Sequence, residues 1–190
     1  MSINLLEAVQ KNLGYPPLHK IDLNTEEVKD KPGSPDEHKF SQAAIPAILT
    51  ALYKYVQTDE GAETVLRGDY STDWVNTIFD ENKRDVVQTI SSYSHQSGAE
   101  GRMNDIADEA IKITKENLPK DAGIKELKTF FSNQRNNILL YLPPALNMGS
   151  LLDDDTLDDN VNKMEGPVSS LMNKIGSVFS NPVVEEEVKK

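Results

Sequence analysis

The chain contains no cysteine. That absence excludes disulfide staples, thiolate metal sites and cysteine nucleophiles, and it is compatible with a reducing compartment. Histidine is scarce as well: only His19, His38 and His95 occur, far apart in the sequence. A zinc hydrolase of the HExxH type needs two histidines one helical turn apart, and helical di-iron sites need Glu-x-x-His pairs. Neither pattern is present, nor is a GxxxxGKS/T or GxGxxG phosphate cradle or a GxSxG serine elbow. His95 has serine neighbours at 92, 94 and 97, but a serine-rich loop offers hydroxyls by composition alone. No catalytic residue and no organic cofactor are assigned.

Aromatic residues make up 6% of the chain, so the core must rest on Leu, Ile, Val and Ala. Long hydrophobic runs are missing too. The most apolar stretch, Ile138 to Leu152, carries no charge but falls short of the roughly 20 residues that span a bilayer. Pro143, Pro144, Asn147 and Gly149 weaken it further as a span, so no membrane partner is expected. The N-terminal MSINLLEAVQKNLGY lacks a basic region followed by a long apolar core, and a signal peptide is not expected. Basic residues are outnumbered, 20 against 31 acids, for a net charge of -11. They are dispersed among the acids, which argues against a phosphate backbone as partner. A soluble cytoplasmic protein is the expectation.

What is present is helical periodicity. Leu5, Leu6, Val9 and Leu13 share one face of a first helix, with Ser2 as its cap and Gly14 at its end. Residues 1–14 are taken as this N-terminal helix. Residues 15–39, with four prolines and many charges, read as an extended connector in which His19 and His38 are solvated. An all-helical domain is expected over residues 40–180, followed by a polar tail at 181–190. Its first helix, Phe40 to Val56, is apolar on most sides, with Pro46 in its first turn or at a kink. Thr58 should cap the next helix, Ser71 the Trp74 turn, and Asp80 or Asn82 the helix to Tyr93. Ser97 and Glu100 suggest a capping box for a helix to Asn117, and Ser132 a cap within the Ile124 to Leu142 region. Pro167 opens an amphipathic helix bearing Val168, Leu171, Met172, Ile175, Val178 and Phe179. The fold class is all-α: one multihelical domain of about eight helices joined as short αα-hairpins, without strands.

Two site hypotheses follow. In the acidic run, Asp154, Thr156, Asp158 and Glu165 fall at positions 1, 3, 5 and 12 of a calcium loop of EF-hand type, with Asn160 at position 7. Asp159 stands where that loop needs glycine for its turn, and Gly166 and Pro167 interrupt the exiting helix. The plain alternative is a solvated acidic connector. A helix-turn-helix over 82–117 is the other hypothesis. Its second helix offers Glu100, Arg102, Asp105 and Asp108 outward, a poor match to bases and phosphates, and an ordinary αα-hairpin explains it.

The phrase FFSNQRNNILLYLPPALNMGSLL, with the helix pair from Trp74 to Leu118 before it, resembles the bacterial YidB-like family. The resemblance covers about residues 40–152 and is one of pattern; the chain is poorer in glycine and has its own acidic C-terminal region. It implies a multihelical fold and no assigned activity. The expected function is therefore non-enzymatic: a protein partner or homo-oligomer formed through helical surfaces.

Overall fold

The computed structural model describes residues 3–21, 35–68 and 72–152. Among them the chain is all-α, with seven α-helices, three further short helical turns and no strand. The helices are α1 (Leu5–Asn12), α2 (Asp36–Tyr55), α3 (Asp59–Arg67), α4 (Trp74–Phe79), α5 (Lys83–Ser94), α6 (Ala99–Asn117) and α7 (Ile124–Leu139). Two 3-10 turns, Asp80–Asn82 and Pro144–Leu146, and the single turn α8 (Met148–Leu151) complete the described fold. The Ser2 and Ser71 caps, the calcium candidates Asp154 to Glu165, the Val168 to Phe179 helix and the tail lie outside the described residues.

Everything packs around α2. Every residue from Phe40 to Leu52 is buried, so this helix has no solvent side along its middle turns. Its sequence explains how: Ala43, Ala44, Ala47 and Ala51 let neighbours approach, while Phe40, Ile45, Ile48, Leu49 and Leu52 fill the gaps between them. Each large side chain so buried contributes about 1.5–3 kcal/mol. Helices α5, α6 and α7 line three of its sides, with α1 and α4 completing the shell. Helix α1 belongs to the same apolar cluster through Leu5, Leu6 and Val9.

Several local expectations need correction. The central helix opens at Asp36, so Pro46 sits in its interior and not in the first turn. There it removes the hydrogen bond that residue 46 would give to the Gln42 carbonyl. The Thr50 hydroxyl donates to the Pro46 carbonyl at 2.7 Å, and burial on all sides outweighs the proline defect. Helix α6 starts behind Gly98 in a left-handed conformation (φ 74°), without the Ser97 capping box. Ser132 caps nothing: α7 runs unbroken through it, because Leu127, Phe131, Gln134 and Ile138 keep one continuous inward stripe. The caps that do form are Asn4 on α1, Thr58 on α3 as expected, and Asp73 on α4. Glu126 accepts from the Gly123 N–H at 2.9 Å at the start of α7, and this bond holds its carboxyl below the usual range.

The uncharged stretch ends α7 at Leu139 and then folds back on the core. Ile138, Tyr141, Leu142, Leu146, Met148 and Leu152 are all buried. Pro143 and Pro144 end the helix and start the 3-10 turn, and Asn147 takes a left-handed conformation (φ 48°) before α8.

Candidate functional site

Gln42 is the polar anomaly in the apolar run FSQAAIPAIL, and it is fully buried. Its Oε1 accepts the His19 N–H at 2.8 Å. Its Nε2 donates to the His19 carbonyl at 3.0 Å and to the Tyr141 carbonyl at 2.9 Å. Both amide protons are thus used, and one side chain joins α2, the segment after α1 and the turn after α7. The Ile21 N–H donates to the Leu140 carbonyl at 2.8 Å beside it. A second glutamine repeats the device. Gln134 on α7 accepts the Leu5 N–H at 3.0 Å and donates to the Ile3 carbonyl at 2.9 Å, seating the start of α1.

This strapped segment brings together two of the three histidines. The His19 and His38 rings lie 4.9 Å apart between centroids, tilted by 52°. His19 is exposed, whereas His38 is buried. The expectation that both are solvated in a polar loop fails for His38 because α2 begins before it and turns its ring inward. The His38 Nε2 lies 3.2 Å from the Pro17 carbonyl oxygen. A carbonyl only accepts, so Nε2 is the donor in this contact. His95 stays apart: it is exposed and closes α5 in a left-handed conformation (φ 55°).

Charged groups nearby are engaged in joining elements. The Arg102 guanidinium on α6 lies 3.8 Å from the Phe40 ring centroid and 5.4 Å from that of Tyr15. It also donates to Glu37 at 2.7 Å and to Gln96. Arg102 is therefore packed against α2 and not offered outward as a helix-turn-helix reading expects. Around the α4 cap, Lys83 bridges Glu100 at 2.6 Å and Asp73 at 3.6 Å. The Asn76 backbone N–H, with help from Asn104 and Lys83, holds the Asp73 carboxyl below its ordinary range.

Asp108 differs from the solvated acid that its spacing suggests. Its Oδ1 is buried, and burial pushes its carboxyl up, against a hydrogen bond from the Trp74 side chain that pulls it down; the Asp105 charge raises it further. The folded chain therefore disfavours the ionised form. Below the carboxylate range both states are protonated and no cost exists; as pH rises the unfolded chain ionises first and the cost develops. Asp108→Asn is expected to raise the melting temperature at pH 7, with the gain vanishing toward about pH 3. Thermal unfolding of both proteins across this range checks the sign.

Among the described residues no group of three or more His, Cys, Asp or Glu side chains gathers as a metal site. The calcium candidates Asp154, Thr156, Asp158, Asn160 and Glu165 lie outside those residues. No helix among the described residues is long and apolar enough to cross a membrane. The class defined by the fold is an all-α multihelical protein built on one buried central helix. Comparison with protein-family models, with curated proteins and with solved structures finds no match.

Proposed function

We propose that the chain is a non-enzymatic, YidB-like helical protein of the bacterial cytoplasm that acts through protein–protein contact, first of all with copies of itself. One observation carries this reading. The seven buried polar side chains among the described residues are His38, Ser41, Gln42, Thr50, Ser94, Thr114 and Gln134. Each of them hydrogen-bonds to main chain: Ser41, Thr50, Ser94 and Thr114 to a carbonyl of the preceding turn, the others across elements. Catalytic interiors aim such groups at a cavity where a reacting atom can sit. Here the four hydroxyls bond within their own helices, and His38, Gln42 and Gln134 join separate segments, which supports a scaffold. A cleft of about 500 Å³ beside α5, lined by Asp85, Gln88, Thr89 and Ser92, offers polar surface of the kind found on any helix. The net charge of -11 favours protein over polyanionic partners.

Light scattering over a wide concentration range tests self-association. The weight-average mass is expected to rise above the 21.2 kDa of one chain. A mass fixed at that value throughout would contradict it.

A further inference from the structure

Residues 3–21 lie on a seat that the rest of the chain builds. Helix α1 packs on α6, α2 and α7 and buries Leu5, Leu6 and Val9 in the shared core. Gln134 on α7 grips the main chain at the Ile3 carbonyl and the Leu5 N–H. Gln42 on α2 grips it again at the N–H and carbonyl of His19. Between these points the Arg102 guanidinium lies 5.4 Å from the Tyr15 ring centroid. All of these partners follow residue 35, so a second copy offers the same seat to the same segment, with the same contacts. The thirteen residues 22–34 that join the segment to its seat reach at most about 45 Å, more than the roughly 30 Å across a small domain. The surface offers little else to a dimer. Among the described residues Leu140 is the single exposed large apolar side chain, and one residue makes no apolar interface of the size that stable dimers bury. We infer, building on the self-association proposed above, that two copies exchange residues 3–21, each placing them on the α2–α6–α7 seat of the other. Held in one chain, the segment meets its own seat at an effective concentration of about the millimolar order. The exchanged dimer therefore grows as protein concentration approaches that range.

Cross-linking between full-length chains tests the exchange. The Asn12 amide donates to the Glu109 carboxylate at 2.8 Å across the α1–α6 contact, at an exposed position. Because the chain has no cysteine, Asn12→Cys in one chain and Glu109→Cys in another give each a single thiol. The two variants, checked for folding by circular dichroism, are mixed, unfolded and refolded together in urea, and treated with a short bismaleimide. A chain carrying both substitutions links within itself when dilute and sets the full yield. A 12–109 link between chains, identified by mass spectrometry, is expected to rise at least about tenfold from micromolar to millimolar protein. The light-scattering mass should rise with it toward twice the 21.2 kDa of one chain. A rise in mass without that link would overturn the exchange and leave self-association through another face standing. A mass fixed at that of one chain, with no link between chains, would overturn both.

Discussion

Replacing Gln42 with alanine is expected to cost about 4 kcal/mol of folding stability, an estimate that sums lost hydrogen bonds and a buried void. The His19 N–H and carbonyl and the Tyr141 carbonyl lose their partner together. The exposed position of His19 lets water replace part of what its backbone loses, but the bond to Tyr141 is buried. The remaining cost comes from the hole left against α2, which the packed neighbours fill only partly. Urea denaturation should show a lowered midpoint with an unchanged slope, because the surface exposed on unfolding stays nearly the same. A loss below about 1 kcal/mol would mean that residues 15–21 are held by solvent-exposed contacts instead.

Gly61→Ala is expected to cost about 3 kcal/mol, by forced overpacking against backbone. A Cβ at this position would press into the Tyr55 carbonyl oxygen and lie 2.8 Å from the Thr58 Oγ1. Neither atom can withdraw cheaply: the carbonyl belongs to the end of α2, and the hydroxyl accepts the Gly61 N–H at 3.0 Å as the cap of α3. The turn between α2 and α3 must open, and α3 packs on α7. Gly101→Ala provides the opposite sign. Nothing lies within 4 Å of a Cβ there, and the position is exposed inside α6. That substitution should gain about 0.5–1 kcal/mol through helix propensity alone. Equal effects at the two glycines would show that close approach, and not propensity, has been misassigned.

The fold class was legible because apolar spacing is a local signal. Met103, Ile106, Ala107, Ala110, Ile111 and Ile113 mark the buried face of α6 in the sequence, and all are buried. Trp74, Val75, Ile78 and Phe79 likewise turn inward as their pattern indicates. Caps were less legible: serines at 97 and 132 fit the pattern of a cap, yet glycine and an unbroken stripe decide those positions. The candidate site was the least legible part. Gln42 meets a residue 23 positions away and another 99 away. Gln134 meets one 131 positions away. No window of sequence reports such a meeting. The available signal was the presence of a glutamine inside a run of apolar residues, since an uncompensated buried amide is costly and must find partners. The His19–His38 pair was hidden for the same reason, made worse by assigning residue 38 to a loop when the helix had already begun.

Buried amide side chains tie the separate segments of this interior together. Amide hydrogen exchange tests this most directly. The His19 and Leu5 N–H groups donate to the glutamines Gln42 and Gln134, and neither donates to a helix carbonyl. Both are predicted to exchange as slowly as the core amides of α2, and Gln42→Ala should release His19 while leaving Leu5 protected. Exchange of His19 at the rate of an unstructured peptide in the unaltered chain would contradict the account.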